Sequence, residues 1–440
     1  MIYGDFSRNS FDAAKQFTRV LHQQGRVLLD ADWNEQSDIF LELLRMFIRD
    51  LTGPFGGTFD KNAFEVEIDA GKLSVTPGRY YVDGMAVNHA DPEWANGRTT
   101  VLVDERSPDG VITYTEMDVT DLNRPFIVYL DVWEQGVTAA EDDHIREIAL
   151  EGIDGAMRSR LMWRIGLTPH VPDPLDWKSL PGQWADWIAE WQSPKRGMLA
   201  ARARTTPAKD DEPCITPPDA RYRGVENQLY RVEIHDPGTA KNATFKWSRD
   251  NGAIVFPVLE LNGNTATVSG LRRDTRWGLT PEDRVELVDA ANLALTGRGM
   301  MARVIAVEDD RVTLDAGGEA LPEYTERAAT TARPLLRRWD HRPAQDQMTL
   351  KVAEGETWIA LEQGIQVQFA PAPKPPPVHQ YRSGDYWLIP ARTATGDVVW
   401  SLDGNDPALI APHGVRHAYI PLAGFDGAKL ASLRRILKTL

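Results

Sequence analysis

Few residues in this chain have the types and spacing that chemistry requires, and most of those fail on inspection. Asp30-x-Asp32-x-Asn34 opens like a calcium loop, but Glu35 stands where the turn needs glycine and Leu41 where the twelfth position needs glutamate. Helix capping accounts better for these residues. His413 and His417 have the i, i+4 spacing of two zinc ligands on a helix, yet Pro412 and Gly414 argue against a helix there. Cys214, the single cysteine, sits between Pro213 and Pro217 with no sign of activation and reads as an incidental thiol. Glu141-Asp142-Asp143 and Asp210-Asp211-Glu212 could supply paired carboxylates for glycoside hydrolysis. Such a pair must face across a substrate, which sequence neighbours seldom do, so solvated loops are the better reading. The chain has no Gly-x-Ser-x-Gly elbow, no phosphate-binding Gly-x4-Gly-Lys-Ser/Thr loop and no His-Glu-x-x-His. The expectation is no catalytic residue, no cofactor and no metal.

Apolar stripes are more informative. Trp184, Trp187 and Trp191 fall at i, i+3 and i+7, on one face of a short helix. They are the glycan-binding candidates, since indoles stack on sugars, although such a stripe more often packs on its own protein. Leu430, Leu433, Leu437 and Leu440 are spaced 3-4-3, and Lys429, Arg434, Arg435 and Lys438 make the other side basic. This predicts an amphipathic helix at the C-terminus able to dock on an acidic partner. A third stripe, Trp33, Phe40, Leu44, Phe47 and Leu51, lies beside Ile39, Leu43 and Met46. It belongs to a predicted helix from about residue 33 to 51, with Asp32 as N-cap, Glu35 completing a capping box and Gly53-Pro54 as stop. So wide an apolar face predicts burial on two sides, under its own domain or at a seam between subunits. Phe40, Leu44, Phe47, Leu430, Leu433 and Leu437 are the oligomer or partner-binding candidates.

The elements that would carry these residues are mostly strands. Asp83-Gly84 predicts a hairpin turn, as does Asn251-Gly252 within Thr244–Phe256. Phe126–Trp133, Arg160–Leu167 and Gly384–Pro390 read as strands, and the short strands between 283 and 314 have the rhythm of a small barrel. The predicted fold class is mainly β, with several small sandwich or barrel domains, an N-terminal helix, a short Trp-rich helical insertion and a C-terminal helix. The expected spans are 1–54 (arm and helix), 55–170 (β domain), 171–215 (Pro/Trp-rich insertion and linker) and 216–274 (hairpin region). They continue with 275–335 (small barrel), 336–423 (β region closing the core) and 424–440 (C-terminal helix).

The 440 residues include 49 Lys plus Arg and 64 Asp plus Glu, a net charge of −15. An acidic chain argues against nucleic acid as partner, because phosphates call for a basic face. One cysteine rules out an intrachain disulfide. The most apolar stretch, residues 39–48, carries Glu42 and Arg45 and is too short to span a bilayer. No signal peptide is visible at the N-terminus, so synthesis in the cytoplasm without membrane insertion is expected.

Several blocks resemble one family. They are Gly4-Asp5-Phe6-Ser7-Arg8, Phe11-Asp12, residues 23–36 (QQGRVLLDADWNEQ), residues 129–134 (YLDVWE) and residues 222–235 (YRGVENQLYRVEIH). Residues 245–252 (FKWSRDNG), 384–392 (GDYWLIPAR) and 412–417 (PHGVRH) continue the series in order. The chain resembles a poorly characterised bacterial family whose genes lie with those of phage-tail-like contractile injection systems. The resemblance implies a non-enzymatic structural component at the baseplate, tail-fibre base or tip. Its partners would be other tail proteins and further copies of itself, a trimer being favoured, in a particle that can be released. The alternatives are a glycan-binding adhesin using the tryptophan stripe and a tail-borne polysaccharide depolymerase. The polar residues set among aromatics in these blocks, Lys246 to Asp250, Glu226-Asn227 and Arg338-Trp339-Asp340, are expected to satisfy loop backbone groups and fix joints between domains.

Overall fold

The computed structural model describes residues 2–57, 62–106, 112–122, 124–150, 154–171, 179–180, 183–184, 186, 188, 196–204, 221–271, 275–289, 293, 297–326, 329, 332–343, 347–371 and 378–437. The chain is mainly β, with several sheets, a closed six-stranded barrel and one long N-terminal helix. Two compact units form from interleaved segments: residues 1–8, 136–159 and 195–414, and residues 9–135, 160–194 and 415–440. Among the described residues no helix is long and apolar enough to cross a membrane.

In the unit that contains 195–414, Lys351, Thr244–Ser248, Gln228–Ile234, Tyr386–Arg392 and Val398 lie across one five-stranded sheet. Its apolar face, with Tyr230, Val232, Phe245, Trp247 and Trp387, shares a core with Leu199, Val367 and Phe369 of the sheet formed by Leu199–Ala203, Ile365–Phe369 and Ile359–Ala360. The barrel is built from Val255–Asn262, Thr265–Val268, Arg311–Asp315, Met300–Glu308, Arg284–Val288 and Leu335–Trp339. It takes in two strands ahead of the expected 275–335. Its interior is aliphatic, with Val258, Ala266, Val285, Val304, Val312 and Leu336.

One expected hairpin does not form. Asn251 and Gly252 do have the positive φ of a tight turn, 51° and 66°. The strands on either side belong to different sheets: Thr244–Ser248 pairs with Gln228–Ile234, and Val255–Asn262 with two barrel strands. The turn is held by Ser248, whose Oγ accepts the N–H groups of Asp250 (3.3 Å) and Gly252 (3.1 Å), and by Asn251 Nδ2, which donates to the Gly4 carbonyl (2.9 Å).

In the other unit, helix α1 (Asp30–Thr52) has Asp30 and Asp32 in its first turn and Arg49 in its last, each complementing the helix dipole. It begins two residues before the expected N-cap. Leu29 precedes it without a side-chain cap, and the Glu35 carboxylate accepts the Ser10 hydroxyl (2.6 Å) instead of closing a capping box. Burial of Ala31 explains the early start, since it requires the first turn to form around that residue. Gly53, at φ 75°, closes the helix with its N–H on the Arg49 carbonyl (2.7 Å).

The burial of α1 on two sides that its wide stripe predicts is absent among the described residues. Only Ala31, Ile39 and Thr52 are buried. Ion pairs tie the helix to its unit: Arg45 pairs with Glu134 (2.7 Å) and Arg49 with Asp83 (3.1 Å), while Glu42 of the same helix also holds Arg49 (3.0 Å). Asp83 and Gly84 are the tip of the predicted hairpin, whose strands Gly78–Val82 and Met85–His89 pair in the register Val82↔Met85. A Cβ on Gly84, already at φ 78°, would run into the Arg45 backbone.

The C-terminal helix is also overturned. Leu430–Ser432 is a strand, paired antiparallel to Ala418–Phe425 through a turn at Asp426-Gly427. The Asp426 carboxylate accepts the N–H groups of Ala428 (2.8 Å) and Lys429 (2.7 Å), which fixes that turn. Beyond it the Gly57 N–H donates to the Arg435 carbonyl (2.7 Å), and Tyr80 Oη accepts the Arg435 N–H (2.8 Å). Backbone partners supplied by distant strands override the 3-4-3 leucine spacing.

Gly84→Ala therefore combines a left-handed backbone with a clash at α1. Chemical denaturation should show a loss of stability well above about 1 kcal/mol, the usual scale for such glycines. A loss within error would mean that α1 does not rest on this turn.

Candidate functional site

The most concentrated chemistry lies in a buried knot of charge. Along Gln228–Ile234, alternation puts Tyr230, Val232 and Ile234 into the apolar core and sends Arg231 and Glu233 to the opposite face. Lys246 sits directly across from Glu233 in the neighbouring strand. Glu286, on the barrel strand Arg284–Val288, completes the arrangement. Lys246 Nζ lies 2.6 Å from Glu286 Oε1 and 3.2 Å from Glu233 Oε1. The same ammonium stands 4.4 Å from the Trp339 ring centroid, and Trp339 Nε1 donates to Glu286 Oε2 (3.0 Å). Arg231, Glu233, Lys246 and Glu286 are each no more than 1% exposed.

The N-terminal arm reaches into this knot. Tyr3 donates its hydroxyl to Glu233 Oε1 (3.0 Å), and its ring lies 4.2 Å from the Arg231 guanidinium and 3.5 Å from that of Arg337. Arg231 also donates to the Ile2 carbonyl (3.2 Å) and to Asn251 Oδ1 (3.1 Å). Burial pushes the Glu233 carboxyl up, but the charges of Arg231 and Lys246 overcome it and leave its pKa below the ordinary value. Glu286 behaves alike: burial raises it, and Lys246 and Arg337 bring it down further. Burial, followed by the charge of Lys246, drives His235 well below its usual value, so it is neutral.

A second, shallower knot uses the other family blocks. Arg249 pairs with Glu362 (2.8 Å) and donates its backbone N–H to Asp340 Oδ2 (2.9 Å). Arg276 pairs with Glu226 and approaches Asp250 (3.5 Å), while Asn227 Oδ1 accepts the Thr393 N–H (3.0 Å). Burial, with the nearby charge of Asp340, pushes Asp250 up to about 6. In the other unit Asp131 is fully buried between Arg164 (2.9 Å) and His417 Nδ1 (2.6 Å). Its burial opposes ionisation, and those two partners prevail, holding its pKa below the ordinary value.

The residues singled out from sequence separate. Phe40, Leu44 and Phe47 are exposed on α1. Leu433 is buried, Leu430 packs on the core of its unit and the Leu437 side chain lies over Gly56, so the three do not form a free docking stripe. Trp184 is 3% exposed and cannot serve as a sugar platform. It packs with Ile127, Tyr129, Leu180 and Leu433, and its Nε1 donates to the Tyr419 carbonyl (2.7 Å). The strand Phe126–Val137 explains this, because it is buried on both faces and needs a cover over Ile127 and Tyr129. Trp187, Trp191, Cys214 and Asp210 to Glu212 lie outside the described residues. Glu141 and Asp142 accept local backbone N–H groups, and Asp143 pairs with Arg146 (2.9 Å). Among the described residues no group of three or more His, Cys, Asp or Glu side chains is placed to hold a metal.

Tyr3, Arg231, Glu233, Glu286 and Arg337 escaped the sequence reading. For Arg231 and Glu233 the signal was the alternation in Arg231-Val232-Glu233-Ile234-His235, which looks like an ordinary half-exposed strand until the barrel covers it.

A family model matches residues 2–171 and 193–431, which include both knots and α1. The chain belongs to the DUF6519 family, a family of unknown function. No curated protein and no solved structure matches it significantly.

Lys246→Met should leave two buried carboxylates without their shared cation, at a cost of about 3–5 kcal/mol near neutral pH. The pH dependence carries the sign. With Lys246 present, the depressed carboxylates stabilise the fold fully above their ordinary value of 4.5, and that contribution fades as the pH falls through their lower folded values. Without it only Arg231 and Arg337 oppose the burial of the two carboxylates, so the gap between variant and parent should narrow on acidification in denaturant titrations. A pH-independent gap would refute this account of the knot. Trp184→Ala should cost about 3–5 kcal/mol, as large core truncations do, when measured by thermal and chemical unfolding. A stability change near zero would return that face to the ligand-binding candidates.

Proposed function

We propose that this chain is a non-enzymatic structural component of a phage-tail-like contractile injection particle, placed at the baseplate, the tail-fibre base or the tip. The observation that carries the reading is how the polar residues of the family blocks are used. Lys246 is paired with Glu286, Arg249 with Glu362, and Asp250 and Glu226 with Arg276, while Asp340 accepts the Arg249 backbone N–H. A rigid joint spends its polar groups in this way, whereas a catalytic site leaves some of them facing a substrate. The blocks that resemble the contractile-system family supply the setting, and the exposed apolar side chains of α1 supply a surface for assembly. The polypeptide is an attachment or scaffolding part, and its partners are neighbouring tail proteins and copies of itself.

The test is to purify contractile particles from cells that carry the gene and from a deletion strain. This chain should appear in the particle by mass spectrometry, and cryo-electron microscopy should place it on the symmetry axis or around it. Normal particles that lack the chain in both strains would refute the proposal.

A further inference from the structure

We infer that α1 is the seam of a parallel self-assembly, in which the same helix from further copies of this chain packs in register. The inference deepens the assembly reading above and rests on it for its setting. Trp33, Phe40 and Phe47 repeat every seven residues, and Ser37, Leu44 and Leu51 repeat every seven residues between them. Together they form an unbroken 4-3 stripe along a 23-residue helix. That is the spacing of a coiled-coil seam, narrower than the stripe a helix uses to pack on its own globular core. The stripe is exposed: Trp33, whose ring meets that of His22 at 5.3 Å, is 57% exposed, Phe40 60%, Leu44 54%, Phe47 60% and Leu51 65%.

The charged side of α1 is already occupied. Arg45 and Arg49 are tied to Glu134 and Asp83, and Glu35 to Ser10. The usual arrangement of an amphipathic helix is therefore inverted, with the charges turned inward and the apolar seam outward. Seven exposed large apolar side chains of α1 lie in the seam or on its flanks: Trp33, Phe40, Leu41, Leu43, Leu44, Phe47 and Leu51. At roughly 100 Å² each, about half of a large apolar side chain, they could bury about 700 Å² per copy, within the usual range for one side of a stable interface.

Flanking charge decides the occupant. In coiled coils the positions beside the seam choose partner and orientation through salt bridges. Here the flanks are Asn34, Gln36, Leu41, Leu43 and Ile48, none of them charged, with Asp50 only at the end. Nothing on them selects a differently charged partner, and nothing repels an identical parallel helix. Identical layers then meet across a cyclic axis, Phe40 on Phe40 and Leu44 on Leu44. The apolar flanks Leu41 and Leu43 widen the face beyond what two helices cover, which favours three copies.

Sedimentation velocity and light scattering on the full chain should give the mass of three copies at micromolar concentration. Phe40→Glu with Phe47→Glu should reduce it to one copy while far-UV circular dichroism stays unchanged, since both side chains are exposed in the single chain. In a Cys214→Ser background, Leu44→Cys should form a disulfide between copies under mild oxidation, and Glu42→Cys should not. A parent protein that remains monomeric at tens of micromolar overturns the inference, as does an assembly that survives the double substitution. A monomer whose incorporation into particles still depends on Phe40 and Phe47 would assign the seam to another tail protein, and so refute self-association while the proposed function stands. An assembly that loses its mass with the double substitution, but is absent from particles, would support the seam and refute the function.

Discussion

An ammonium held between two carboxylates out of contact with water tolerates little displacement. Lys246 comes from the five-stranded sheet, Glu233 from the strand beside it and Glu286 from the barrel. Each would carry a desolvation cost of several kcal/mol alone, and only their mutual arrangement offsets it. The distance between sheet and barrel is thereby set to that of an ion pair. Apolar packing would hold the two elements together but would allow them to slide, since it is not directional. The contribution of the knot is thus chiefly geometric, and the N-terminal arm adds to it: Tyr3 caps Glu233 and fills the space between two guanidinium groups.

The same economy recurs in the other unit with different elements. Asp131 is buried on a strand that is buried on both faces, paired with Arg164 of a neighbouring strand and in contact with the His417 ring. Helix α1 is likewise fastened by ion pairs, through Arg45 and Arg49. Directional contacts placed on one side of a helix leave its other side free. In α1 that free side is apolar and exposed.

Much of this was legible in residue order. The alternation of Phe126 to Trp133, the Asp83-Gly84 turn and the helical period from Trp33 to Leu51 are local patterns, and local sterics and hydrogen bonding enforce them. The failures share a cause. The leucines at 430, 433 and 437 have helical spacing, but distant strands offer their backbone better partners. Asn251-Gly252 makes its turn, but the strands that leave it find different sheets. Trp184 had the spacing of a platform and became a lid.

By itself the sequence determined the mainly β character, the long helix with its seven-residue repeat, the want of any recognisable catalytic constellation and the family blocks, since all of these are read from neighbours along the chain. Tertiary structure alone decided which face of each element meets water. Arg231 and Glu233 alternate like residues of a half-exposed strand, yet the barrel buries them. Phe40 and Phe47 are spaced like residues of a helical core, yet among the described residues of their unit they stay exposed. Burial depends on what another part of the chain brings to a surface, and hydrophobic periodicity reports only that two faces differ.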